Sequence, residues 1–263
     1  MPTVRTNTGD VVVGTPICRR TSFILDKFLS NQQEIQQAYP ACMLVFATDE
    51  PDFVAELKGK INKYNLKVEV INYKTVKPDY AKSRVWSVTC AREALRNYTL
   101  SYGAEYFLSF DADMIYEASV VSIMKGKIQR FDVIFSGYRK APFGLWGFGN
   151  GCVMINKKML NKLTFSCYEF SGGKEVDESE MLDLSLLKCH AKIVRGIFVS
   201  IKHYQNSEEY YAIKSQPVSW FRLVSNNLLI RYVLIRISIV TKTNIARKLQ
   251  TLLYRILKFE LRK

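Results

Sequence analysis

The sequence lacks the features that mark several specialised classes of protein. Its six cysteines lie singly, with no C-x-x-C pair and no compact disulfide spacing, so they are expected to be reduced core thiols. The first ten residues are polar and contain no apolar signal region, which predicts a cytoplasmic setting. No internal repeat or low-complexity tract is present. A chain of 263 residues of this kind is expected to form one large domain with an appendage.

Positive charge is concentrated at the C-terminal end of the chain. Residues 218–263 contain ten basic residues and one acidic residue, which gives +9 of the total net charge of +14. The first 217 residues are therefore nearly balanced, at +5, and this distribution argues against nucleic acid as the partner. We expect a folded domain over residues 1–217 and a basic appendage over residues 218–263.

The pattern of apolar residues predicts how this appendage behaves. Near its end the apolar positions follow the i, i+3, i+4 spacing of one helical face: Leu249, Leu252, Leu253, Ile256, Leu257 and Leu261. The apolar stretch before it, residues 228–240, contains Arg231 and Arg236 and is only 13 residues long, short of the roughly 20 that a spanning helix needs. The prediction is peripheral association with an anionic membrane surface, on the cytoplasmic face. The alternative is a helical pair that packs on the domain or forms a dimer.

The first two thirds of the chain alternate between strand-like and helix-like segments. Short apolar runs at residues 11–14 and 42–47 are followed by helical segments at residues 23–37 and 53–64, and a long helical stretch over residues 81–98 leads to a further strand. This alternation predicts an α/β domain with a mostly parallel sheet flanked by helices. The glycine-rich link GLWGFGNG precedes a strand instead of joining a strand to a helix, so it is not a dinucleotide fingerprint.

Polar side chains follow three of the predicted strands. Thr15 and Pro16 come after the first strand, Asp49 after the second, and Asp111 and Asp113 after the run YFLSF. Ligands of open α/β sheets bind outside the carboxyl ends of the strands, so these residues are expected to meet at one edge. Three such strand ends offer contacts for a base, a ribose and a diphosphate, and they predict a nucleotide site.

The pair Asp111 and Asp113 is the strongest single signal. Residues i and i+2 of a strand point to the same side, so both carboxylates can approach one hard cation as the strand opens into a loop. Mn²⁺ or Mg²⁺ would take one or two such ligands and complete its shell with water and phosphate oxygens. The alternative interpretation is a solvated turn.

These motifs resemble those of the GT-A glycosyltransferases, and among them the inverting family 2 of nucleotide-sugar enzymes, over roughly residues 10 to 205. The segment VVVGTP resembles the first strand and its proline-containing loop, TCAREAL carries the family's Ala-Arg pair with Arg92, and FDADM resembles its metal motif. The resemblance implies a GT-A (Rossmann-like) fold. It also implies donor contacts from Thr15, Pro16, Asp49, Arg92 and Asp111, and a metal held by Asp111, Asp113 and His203.

The resemblance also implies a catalytic base in the segment EVDESEMLDL. Glu178 falls where the family's Glu-Asp pair begins, but Ser179 stands at the second position. Asp177 and Glu178 are therefore the preferred candidates for the base, with Glu180 as an alternative. His203 has a second interpretation as a cap on a strand end.

Together these features predict a metal-dependent, inverting glycosyltransferase. Its donor would be a GDP- or UDP-sugar, with mannosyl transfer among the expected reactions, and its acceptor a hydroxyl or phosphate, such as a polyprenyl phosphate or a lipid-linked glycan. Mn²⁺ or Mg²⁺ would stabilise the diphosphate leaving group, and a carboxylate away from the metal would take the proton of an attacking hydroxyl. The alternatives are a sugar nucleotidyltransferase and a non-catalytic membrane-binding module that retains the fold.

Overall fold

The structure is a computed structural model, and it describes residues 9–81, 84–139, 146–147, 149–169 and 175–214. The predicted appendage, residues 218–263, lies outside the described residues, so its helices and its membrane contact remain predictions. All six cysteines are free thiols, and Cys42, Cys152 and Cys167 are buried. Among the helices that the structure describes, none is long and apolar enough to cross a membrane.

The described residues alternate between strands and helices in the order that the sequence predicts. In chain order the strands are β1 (Val11–Pro16), β2 (Cys42–Thr48), β3 (Val68–Asn72), β4 (Tyr106–Phe110), β5 (Met114–Tyr116), β6 (Val133–Ser136), β7 (Tyr138–Arg139), β8 (Trp146–Gly147), β9 (Cys152–Asn156), β10 (Tyr168–Glu169), β11 (Glu175–Val176), β12 (Ile193–Gly196), β13 (Ile201–Tyr204) and β14 (Tyr210–Ile213). The helices are α1 (Leu25–Ala38), α2 (Pro51–Lys63), α3 (Val85–Tyr102), α4 (Val120–Ile128), α5 (Lys157–Leu160) and α6 (Glu178–Lys188), with a 3-10 turn at Arg19–Phe23 before α1.

Seven strands form the central sheet, in the spatial order β12-β6-β9-β4-β1-β2-β3. Neighbouring strands are parallel except for β9, which runs antiparallel to both β4 and β6. The prediction of a mostly parallel sheet flanked by helices is therefore confirmed. The centre of the sheet is buried on both faces, and successive residues of β1 alternate between two apolar clusters. Val11 and Val13 pack in one cluster and Val12 in the other.

Helix α3 packs closely against the centre of the sheet. Its residues Ala91 and Leu95 are fully buried beside Val12 and Phe107 of the strands. A Cβ atom on Gly14 would lie 2.6 Å from the Phe107 ring and 3.1 Å from Leu95, so glycine allows this close approach. The helix runs four residues beyond its predicted end and stops at Gly103, which has φ +87°. This packing fixes the position of Arg92, one residue after Ala91.

A smaller sheet covers one end of the central sheet. Strand β13 pairs antiparallel with β5 and with β14, and His203 lies opposite Met114 in this register. The Tyr204 N–H donates to the carbonyl oxygen of Asp113 at 2.8 Å. The pairing of β13 with β5 and this hydrogen bond bring His203, near the end of the predicted domain, beside the acidic motif after β4.

Candidate active site

The strand ends that the sequence singled out lie side by side in the sheet. Strand β1 pairs in parallel with both β2 and β4, so Pro16, Asp49 and Asp111 follow three adjacent strands at one edge. At this edge Asp49 Oδ2 accepts from Thr75 Oγ1 at 2.5 Å and from Ser87 Oγ at 2.8 Å. Thr15 is buried, and its hydroxyl has no hydrogen-bond partner in the described part of the chain. Thr15, Pro16 and Asp49 thus lie at the same edge of the sheet as the acidic motif.

Tyr116 supports the loop that carries Asp111. Its ring stacks on Phe110 with centroids 3.8 Å apart, and its hydroxyl accepts from the Asp111 N–H at 3.0 Å and donates to the Gly151 carbonyl at 2.5 Å. Burial raises the pKa of Tyr116 well above its ordinary value, and the charge of Asp111 adds to the effect. The phenol is therefore neutral at physiological pH and acts as a fixed hydrogen-bonding group.

Arg92 connects two of the predicted site residues. Its guanidinium is 1% exposed, and it donates through Nη2 to Asp111, through Nη1 to Glu178 and through Nε to Ser109 Oγ at 3.2 Å. Burial acts to lower the pKa of Arg92, but the charges of Glu178 and Asp111 outweigh it, so the pKa is raised. The guanidinium is thus a permanent positive charge shared between the acidic motif and the start of α6.

Asp113 and His203 form a second pair at this edge. The distance from His203 Nε2 to Asp113 Oδ2 is 3.6 Å, and the side chains are 15% and 36% exposed respectively. Two ligands of one cation, each about 2.1 Å from it, lie about 3 to 4 Å apart, so this separation fits shared coordination. No group of three or more His, Cys, Asp or Glu side chains that could hold a metal ion occurs among the described residues. The pair therefore fits a cation whose shell is completed by water and phosphate.

The acidic residues at the start of α6 make two different sets of contacts. Asp177 is the N-cap: its Oδ1 accepts from the Glu180 N–H at 3.0 Å and from Ser179 Oγ at 2.8 Å, while Glu180 Oε2 accepts from the Asp177 N–H at 3.2 Å. This is a capping box. Glu178 instead contacts Arg92 and is 13% exposed. Of the three candidates for the base, Glu178 is the one that the structure links to Asp111.

Sequence reasoning missed three residues of the site. Besides Tyr116, these are Tyr138, whose ring meets the His203 ring edge-on at 5.6 Å, and Gly151, where a Cβ would lie 2.4 Å from Asp111 Oδ2. Burial, with the charge of Asp111, raises the pKa of Tyr138 well above its ordinary value. The glycine-rich link is a signal that could have indicated Gly151, because glycine often marks a close approach of the backbone. The two tyrosines gave no signal, because a tyrosine in a strand is typical of any core.

A groove of about 380 Å³ lies on a different face of α3 from Arg92. Trp86, Cys90 and Glu93 of the helix line it, together with Tyr73 and Phe165. The Trp86 indole N–H donates to Glu169 at 3.0 Å, and Glu93 accepts from the Phe165 N–H at 2.9 Å. These two polar groups are thus engaged within the fold, and Asp111, Asp113 and Glu178 do not line the groove.

Comparison with known proteins was made by sequence and by structure. No protein-family model and no curated protein matches the sequence. Among solved structures, the chain is similar to the mannosyltransferase PcManGT from Pyrobaculum calidifontis in complex with GDP-Man and Mn²⁺, with 11% identity over 74% of this chain and a TM-score of 0.50. It is also similar to S. aureus TarS residues 1–349, with 14% identity over 78% of this chain and a TM-score of 0.46.

The match covers only part of these structures. The chain spans 60% of the TarS structure and 57% of the Pyrobaculum mannosyltransferase. At 11% identity the likeness concerns the fold alone. In that fold β4, which leads into the acidic motif, is the central strand of the seven-stranded sheet. The described residues therefore adopt the GT-A fold, which they share with a mannosyltransferase of known structure.

Proposed function

We propose that the protein is a metal-dependent glycosyltransferase that moves a sugar from a nucleotide diphosphate to an acceptor. The observation that carries this proposal is the juxtaposition, after β4, of the Asp113–His203 pair with the Asp111–Arg92–Glu178 cluster. The Asp113–His203 pair suits a cation. In the cluster, Glu178 is a further carboxylate, and the Arg92 guanidinium lies between it and Asp111. The Pyrobaculum mannosyltransferase, which has GDP-Man and Mn²⁺ in its structure, supports the proposal through its fold.

The donor would lie along the edge formed by β1, β2 and β4. Thr15, Pro16 and Asp49 would contact the nucleoside, with Arg92 and Asp111 near the ribose and diphosphate. Asp113 and His203 would hold Mn²⁺ or Mg²⁺, with Asp111 facing the same cation. A cation bound there would neutralise the negative charge that grows on the departing diphosphate.

Transfer to a hydroxyl also requires a group that removes its proton. We assign this role to Glu178, with Asp177 as the alternative, because Asp177 already caps α6. A bond forms between the acceptor oxygen and the anomeric carbon while the bond from that carbon to the diphosphate breaks, and the hydroxyl proton passes to the carboxylate. A base and a leaving group on opposite sides of the sugar correspond to inversion.

The acceptor is proposed to be associated with a membrane. The basic, amphipathic sequence of residues 218–263 supports this proposal, because such a segment favours anionic lipid surfaces. A polyprenyl phosphate or a lipid-linked glycan is the acceptor class that such a location suits, at the cytoplasmic face of the membrane.

The donor site can be tested by thermal unfolding. Mn²⁺ together with UDP or GDP should raise the melting temperature, because a ligand that binds only the folded state stabilises it. Asp113→Asn should abolish the joint shift. Asp132→Asn is the matched control. Asp132 lies just before β6, where its carboxylate accepts from the Lys192 N–H, so this variant should show the same thermal shift as the parent. The donor assignment is wrong if neither nucleotide raises the melting temperature of the parent in the presence of Mn²⁺ or Mg²⁺.

A further inference from the structure

We propose that Arg92 is a positioning residue that holds Glu178 against the candidate donor side of the site. This inference rests on the proposed function and adds to it a residue that acts through others. Arg92 is buried, and each of its three guanidinium nitrogens donates to a different acceptor: Asp111, Glu178 and Ser109. The planar fork of arginine suits such a three-way arrangement, whereas the ammonium of lysine is a single point charge.

The partners of Arg92 come from distant parts of the chain. Asp111 follows β4, whereas Glu178 is the first residue of α6, and in the sheet β4 is separated by β9 and β6 from β12, the strand that follows α6. Apolar packing joins α6 to the rest of the domain through Leu182 and Leu186, which share a cluster with Ala91 of α3. Glu178 lies one helical turn before Leu182. The ion pair therefore adds a polar contact between α3 and α6 to the apolar cluster to which both helices contribute.

Charge explains why this position needs arginine. Asp111, Glu178 and Arg92 carry a net charge of −1 when ionised, and without the guanidinium two carboxylates would face each other across a buried space. Two like charges close together oppose each other's ionisation, so one of the two carboxylates would move or take up a proton. A change at Glu178 would remove the proton acceptor, and a change at Asp111 would disturb the donor side that Glu178 faces.

If Arg92 only stabilised the fold, its replacement should affect transfer no more than the replacement of another buried arginine. The chain offers such an arginine as a matched control. Arg195 and Asp183 form another buried ion pair, with 1% and 3% exposed side chains, and Asp183 also lies on α6. Arg195 lies over the Phe135 ring, 4.6 Å from its centroid, on β12, which β6 and β9 separate from β4 in the sheet. Arg195→Lys therefore replaces a buried guanidinium of β12 that pairs with the same helix, α6.

The first measurement is transfer at saturating donor by Arg92→Lys and Arg195→Lys, with melting temperatures recorded for both. Displacement of a reacting group by about 1 Å costs on the order of 10²-fold, so Arg92→Lys should lose about 10²-fold in kcat. The change in its KM for the donor should be smaller, because lysine keeps a positive charge beside Asp111. Arg195→Lys should melt lower but keep its kcat within about threefold. Ser109→Ala, which removes only the acceptor of Arg92 Nε, should lose transfer by less than Arg92→Lys. Full transfer by Arg92→Lys, or equal losses in both lysine variants, would overturn the positioning role.

The second measurement does not depend on activity. Unfolding is compared for Arg92→Gln, Glu178→Gln and the double variant, because mutations that break one shared contact are not additive. The double variant should melt no lower than Arg92→Gln alone, and additive losses would show that Arg92 does not hold Glu178 in solution. If Arg92→Gln does not fold, Arg92→Lys replaces it in the cycle. A parent that transfers from no nucleotide sugar would refute the proposed function, whereas this cycle would still decide the contact.

Discussion

At the scale of single residues, the start of α6 distinguishes two carboxylates that are neighbours in the sequence. Asp177 accepts backbone and hydroxyl hydrogen bonds as an N-cap, and Glu178 pairs with Arg92. We expect Glu178→Gln to lower transfer by about 10²–10⁴-fold, the usual loss when a general base is removed. Asp177→Asn should leave transfer nearly intact, because asparagine caps a helix as well as aspartate does.

Initial rates with a fixed nucleotide sugar measure this difference. Donor binding, followed by the Mn²⁺ and nucleotide thermal shift, should be similar in both variants and in the parent. A large loss of transfer in Asp177→Asn with full transfer in Glu178→Gln would assign the base to Asp177.

Gly151 offers a second prediction at this scale. A Cβ there would lie 2.4 Å from Asp111 Oδ2 and 2.8 Å from Met114 Cε, so the Gly151→Ala side chain must displace the carboxylate. We expect weaker joint binding of Mn²⁺ and nucleotide, measured by calorimetry. Gly59→Ala on α2 is the control, because no atom lies within 4 Å of the corresponding Cβ position. Unchanged affinity in Gly151→Ala would show that Asp111 does not contribute to the donor site.

At the scale of elements, the capping box sets the stability of the first turn of α6. Asp177→Ala removes the acceptor of the Glu180 N–H, and loss of an N-cap costs about 0.5–2 kcal/mol of unfolding free energy. Asp177→Asn should cost much less, because its side-chain oxygen can accept the same bond. Urea unfolding of the two variants measures this difference, and equal losses would contradict the cap assignment.

At the scale of the whole molecule, the basic segment of residues 218–263 is expected to bind a membrane surface. The full chain should float with anionic liposomes and detach in high salt, because screening weakens the attraction between its basic side chains and the lipid headgroups. A chain that ends at Gln216 should stay in the soluble fraction. Neutral liposomes are the control, and a full chain that ignores anionic liposomes would remove the support for a lipid-linked acceptor.

The sequence by itself determined the central architecture and the edge where the site lies. Alternating apolar segments predicted the parallel strands, because burial on both faces requires continuous apolar runs. The acids after β2 and β4 predicted the edge, because parallel strands end on the same side. The pairing of β1 with both strands brought Asp49 and Asp111 to that edge as expected.

Only the tertiary structure decided how the acidic residues are used. The sequence favoured Asp177 and Glu178 over Glu180 but did not separate the first two, since local spacing does not say which side chain turns back to cap the helix. The pairing of Glu178 with Arg92 joins residues 86 positions apart, and it depends on how α3 and α6 pack. The support of Asp111 by Tyr116 and the close approach of Gly151 to Asp111 likewise arise where β4, β5 and β9 meet. Such contacts follow from side-chain directions in the folded chain, which the periodicity of one element does not contain.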